Sequence, residues 1–289
     1  MKTYSLYFFL FAAALFAFTG CDDDDDISPV LEGGTFEVEF ENVFGPQDNQ
    51  RSFSLSDVGS TDYGFTNSMG QDYNITFLRY YISEVVLEGP DGERFEDPMS
   101  VSATGAEGYY LISADDPSSM TFDLENVPAG RYNKISFLLG VDSTGVQEGA
   151  AGGSLDPATS GMFWSWNAGY VAFKIEGQSA ASAGGASGNT IENTNDKGIV
   201  FHLGGWKDID GTAFRNNNQR VTLEFDTNAS VGAGLEPTAH LELDVDAVFN
   251  GPETTIDFAN SNVNVHRPVD GADMAVNAAA AFRYDHIHQ

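Results

Sequence analysis

YNITFLRYYISEVVL, residues 73–87, is the stretch that decides the fold. It is rich in β-branched and aromatic side chains, which favour a strand, and Pro90-Asp91-Gly92 closes it with a turn signal. Working outward, Phe36, Val38 and Phe40 alternate with Glu37, Glu39 and Glu41, the period of a half-buried strand. Short strands are expected at Tyr109–Ile112 and Thr121–Leu124, and Val127-Pro128-Ala129-Gly130 turns into another at Tyr132–Val141. Met162–Glu176 holds an aromatic cluster and the strand that continues it. Ile199–Leu203, Arg220–Phe225, His240–Val245 and a short Tyr284–His288 complete the set. Ala-rich Ala272–Phe282 favours a helix. Gly145–Gly161 and Gln178–Asp196 are rich in small residues and read as loops, the second a mobile one. There is no fixed-period repeat and no linker rich enough to divide domains. The pattern predicts an all-β fold: one β-sandwich or barrel-like domain over residues 34–289, with a short C-terminal helix.

Composition narrows the function. The 289 residues carry a net charge of -30 from 43 acidic and 13 basic side chains. Nucleic acid and anionic lipid would be repelled by that excess. Solubility outside the cell and cation binding are both compatible with it.

The N-terminus reads as a targeting segment. Lys2 supplies a minimal positive region, and the apolar run Leu6–Phe18 leads to Thr19-Gly20-Cys21, so residues 1–20 are expected to be a lipoprotein signal peptide. Cys21 is the single cysteine, so no intrachain disulfide is available. Its setting resembles a lipobox, with Phe18 where such boxes usually carry Leu, and the expectation is a lipidated Cys21. Asp22–Asp26 begins an acidic tether over residues 21–33. Acidic residues at that place resemble sorting or surface-export signals of Gram-negative lipoproteins. The expected location is the cell envelope, lipid-anchored at the outer membrane and in reach of surface exposure.

Five histidines are the main candidates for chemistry: His202, His240, His266, His286 and His288. Imidazole is the commonest side-chain ligand for copper and zinc. His286 and His288 stand two apart, so on a strand they share a face; His202 or His266 would complete a trigonal site, and a frayed tail is the alternative. His202 ends a strand, where a hydrogen-bonded core or edge role competes with ligation. His240 falls on the face of Glu242 and Asp244, opposite Leu241, Leu243 and Val245, and is expected to be exposed. Nucleophile-elbow, thiol, His-Glu-x-x-His, phosphate-loop and calcium-loop signatures are absent.

GMFWSWNAGY, residues 161–170, has three readings. It can be core packing, a sugar-stacking platform of Trp164 and Trp166, or an aromatic shell beside a metal.

In order, LRYYISEVVL (78–87), VPAGRYNKISFLLGVDS (127–143), SLDPATSGMFWSWNAGYVAFKIEG (154–177), FHLGG (201–205) and YDHIH (284–288) resemble the MbnP-like family of lipoproteins. That family takes its name from a methanobactin-associated periplasmic copper-binding protein. The resemblance implies an all-β domain that holds copper largely through histidine. It also implies a tryptophan at the copper site that a di-haem peroxidase partner oxidises to kynurenine. His202 is the histidine of the matching Phe-His-Leu-Gly motif, and Trp164 and Trp166 are the matching tryptophans. One departure stands out. Copper-binding members carry an Asn-His after the Gly-Val strand end, whereas Gly140–Glu148 has no histidine. The expectation is that His286 and His288 replace it and join His202, with His266 in reserve and Trp164 and Trp166 around the metal. The expected function is copper binding or carriage rather than catalysis. A glycan- or protein-recognising surface module is the alternative, and a metal-dependent hydrolase would need a carboxylate base that no motif names.

Overall fold

A computed structural model describes residues 33–102, 104–148, 152–192 and 197–289. The expected signal peptide, Cys21 and most of the acidic tether lie outside these residues. Among the described residues the strands in chain order are β1 Gly34–Phe44, β2 Arg51–Ser52, β3 Phe65–Thr66, β4 Asp72–Glu88, β5 Arg94–Glu96 and β6 Ser100–Ser102. Next come β7 Gly105–Glu107, β8 Tyr109–Ser113, β9 Thr121–Val127, β10 Gly130–Leu139, β11 Phe163–Ser165 and β12 Gly169–Ser179. The last are β13 Gly198–Gly204, β14 Gln219–Val231, β15 Thr238–Asp244, β16 Asn264–Val265 and β17 Phe282–His288. Three short α-helices accompany them: α1 Ser143–Gln147, α2 Val245–Phe249 and α3 Ala272–Ala280.

Two open sheets make an all-β sandwich. The first runs β17-β15-β1-β2, with β9 also on β1; the second runs β14-β10-β4-β12-β13-β16, with β3, β5 and β8 on β4 and β11 on β12. Neither closes, so the sandwich alternative holds and the barrel-like one does not. The β1 alternation does what its pattern requires: Phe36, Val38 and Phe40 are buried and the glutamates between them are not. Phe40 meets Tyr80 of the opposite sheet at 6.0 Å, Phe137 at 5.8 Å and Phe282 at 6.0 Å, all edge-on, and this aromatic layer joins the sheets. The stretch 73–87 is the centre of the larger sheet, with β12 along its first half and β10 along its second. Glu84, at a φ of 48°, marks a bulge where the β10 register slips.

Two expectations change. Strand β12 alternates apolar and polar residues, yet Lys174, Glu176 and Gln178 are as buried as Phe173 and Ile175. The loop expected to be mobile supplies the reason over its described part: it lies on that polar face and carries Ala186 and Ile191 into the core. Val245, expected to end a strand, instead starts α2, because the Asp244 carboxylate caps it by accepting from the Asp246 N–H. No helix among the described residues is long and apolar enough to cross a membrane.

Candidate metal centre

The two sheets carry histidines on opposite, outward faces. On the larger sheet, β16 pairs with β13 in parallel, Val200 with Asn264 and Phe201 with Val265. The same register continued one residue sets His266 beside His202. Ile199, Phe201 and Leu203 turn into the core, and His202 turns outward into a cavity of about 250 Å³ that it shares with His266, Lys174, Phe163 and Trp164.

The hydrogen bonds fix what each imidazole offers. His202 Nε2 lies 2.8 Å from Glu176 Oε1. Glu176 is fully buried and also accepts from the Asn189 and Thr190 N–H groups and the Thr190 hydroxyl. Burial alone would raise its pKa, but these donors outweigh it and hold the carboxyl at about 2. It is therefore a carboxylate that only accepts, and His202 Nε2 must donate to it. Burial, against the pull of Glu176, lowers His202 to about 4, so the ring is neutral and its Nδ1 carries a lone pair. His266 Nε2 lies 2.9 Å from Asn264 Oδ1. That oxygen already accepts from the Ser187 N–H, so it too is an acceptor, and His266 Nε2 donates. The two Nδ1 atoms are the ring nitrogens not held by these acceptors, and they face each other at 3.0 Å. Two lone pairs at that distance repel unless a cation sits between them, a proton or a metal ion. A ring nitrogen aimed at the site while the other donates to a carboxylate or amide oxygen is the usual arrangement of a metal-ligating histidine.

Lys174 is a second buried charge beside Glu176. Its Nζ donates to the Gly161 carbonyl at 2.8 Å and lies 3.8 Å from Glu176 Oε1; burial lowers its pKa to about 8. The cation offsets the Glu176 charge and pins the turn that precedes the aromatic cluster.

That cluster divides. Met162 and Tyr170 are buried in a small second core with Tyr81 and Tyr109, and Phe163 and Trp164 pack against it. Phe163 meets Tyr170 at 5.1 Å. The strand ends at Ser165, and Trp166 lies in the turn, 52 % exposed, with its ring edge-on to Phe163 at 4.7 Å. The strand alternation that would put Trp164 and Trp166 on one face therefore stops before Trp166. Trp164 borders the histidine pocket and Trp166 does not.

The expected union of His202 with His286 and His288 is also not formed. The latter two lie on β17, in the other sheet, grouped with His240. His266 takes the place beside His202. His240, expected to be exposed, is half-buried, because the rings of His286 and His288 lie against it at 4.2 and 4.8 Å and Glu39 flanks its other side.

A family profile for MbnP matches residues 33–267. The chain belongs to the MbnP family. Among solved structures it is similar to MbnP from Methylosinus trichosporium, with a TM-score of 0.51 and 16 % identity, covering 84 % of this chain and 88 % of that one. At that identity the likeness is one of fold. A search of curated proteins finds no match. The MbnP match ends at residue 267, so it spans His202, His266 and Trp164 and stops short of His286 and His288.

Proposed function

We propose that this member of the MbnP family is a copper-binding protein of the cell envelope that holds the metal through His202 and His266, with Trp164 alongside. The observation that carries the reading is the pair of Nδ1 atoms facing each other at 3.0 Å, each ring oriented by an acceptor behind it. Two imidazoles with no carboxylate among the described residues that line the pocket suit Cu(I), which accepts low coordination and soft or borderline donors. His202 is buried and locked by Glu176, whereas His266 is half-buried and held by the exposed Asn264. A site of two ligands leaves coordination positions for an incoming donor, as capture and handover require.

Anchoring through a lipidated Cys21, an outer-membrane location and a di-haem peroxidase partner belong to the same proposal and rest on sequence resemblance. If a tryptophan is modified at the metal, it is Trp164 rather than Trp166.

Anaerobic Cu(I) titration against a chromophoric competitor tests the site. The native chain should take up copper there, and His202→Ala and His266→Ala should each abolish that high-affinity equivalent. Unchanged affinity in both variants would refute the assignment. The surface-module alternative has a single exposed indole, Trp166, to support it among the described residues, since Trp164 lines the histidine pocket, and no observation favours a hydrolase.

A further inference from the structure

The outward face of the smaller sheet holds a separate histidine group. His240, His286 and His288 each place one ring nitrogen within 4.8 Å of the others. Their ring centroids lie 4.2 Å apart for His240 and His286, 4.8 Å for His240 and His288, and 4.7 Å for His286 and His288. We propose that these three histidines form a second metal site, distinct from the His202–His266 pocket, that takes a divalent late first-row ion such as Zn2+ or Cu2+.

The backbone builds the group. His240 on β15 pairs directly with His286 on β17, and Thr238 with His288. The register then slips: Leu241 pairs with Tyr284, so Asp285 is an extra residue. Phe282, Tyr284 and Ile287 pack on the core. Strict alternation from Phe282 and Tyr284 would send His286 and His288 inward as well. The bulge at Asp285 takes up one residue and turns both outward, over His240.

Carboxylates stand behind two of the rings. Asp285 Oδ2 is 2.7 Å from His286 Nδ1, and Glu39 Oε2, on the strand at the other side of His240, is 3.5 Å from His240 Nδ1. At His286 an Nδ1–H held by Asp285 leaves Nε2 as the ligand atom. The surrounding charge also favours a cation. Glu41 pairs with Glu242 across β1 and β15, and burial together with Glu242, Asp285 and Glu39 raises the Glu41 pKa. Glu242 Oε1 is buried without a hydrogen-bond partner among the described residues. Three imidazoles beside carboxylates match the preference of Zn2+ and Cu2+ for nitrogen with one oxygen or water. His288 is exposed, so an ion can enter from solvent.

Calorimetric titration of the whole chain with Zn2+ tests this. The native chain and a His202→Ala/His266→Ala variant should bind one equivalent at the three histidines with the same affinity. His286→Ala/His288→Ala should weaken it by more than the roughly 10–100-fold that losing an outer hydrogen-bond partner costs. His288→Gln, at the exposed chain end, guards against misfolding and should weaken binding at least about tenfold. Cu2+ bound to the pocket variant should show nitrogen hyperfine splitting in its electron paramagnetic resonance spectrum, lost in His286→Ala/His288→Ala. Zn2+ affinity unchanged in folded His288→Gln, or abolished only by the pocket variant, would overturn the proposal. Either outcome leaves the Cu(I) result at His202 and His266 to stand or fall separately.

Discussion

Glu176 decides the chemistry of His202 from behind the ring, at Nε2 rather than at the Nδ1 that faces the site. Its carboxylate accepts from His202, Asn189 and Thr190, so a carboxamide in its place must present a donor to at least one of these donors. Glu176→Gln should cost about 1–3 kcal/mol for the buried donor left unpaired and lower copper affinity by roughly 10–100-fold. Thermal unfolding and Cu(I) competition check both; a folded variant with native affinity would show that the carboxylate does not set the ring. At this scale the sequence was half legible. Phe-His-Leu-Gly marks His202, but nothing near residue 202 points to His266, because a parallel strand pair brings it in from 64 residues away. His240 was hidden for another reason. Alternation gives its face correctly but not its neighbours, which come from β17.

Elements explain why a polar strand face is a site rather than a surface. Strand β12 places Lys174 and Glu176 outward, as its sequence reads, and the loop after it folds back to bury them. Gly188 is the closest approach: a Cβ there would collide with the Glu176 carboxylate. Gly188→Ala should therefore destabilise the chain by about 1–3 kcal/mol, the usual cost of forcing atoms into a filled space, and loosen copper binding with it. Denaturant unfolding gives the first quantity, and a stability equal to the native chain would contradict the packing. Strand positions were readable from period and β-rich composition. The bulge at Asp285 and the coverage by the loop were not, since both depend on partners distant in sequence.

Across the whole molecule, the sandwich keeps the two histidine groups apart. The Phe40 layer and the rest of the core lie between the outward faces that carry them. Phe40→Ala should cost about 3–5 kcal/mol, the range for emptying a buried aromatic site, and lower stability without changing which histidines bind metal. A loss within 1 kcal/mol in chemical denaturation would mean that the sheets are not joined there. The overall fold was legible because alternation in β1 and the run 73–87 constrain both sheets; the expected single three-histidine cluster was not, because faces of different sheets cannot be matched from spacing alone.

The most direct measurement is anomalous diffraction at the copper edge from crystals of the copper-loaded chain. The account predicts a peak between His202 Nδ1 and His266 Nδ1, beside Trp164. Ordered copper found elsewhere, with no peak between those two nitrogens, would contradict it.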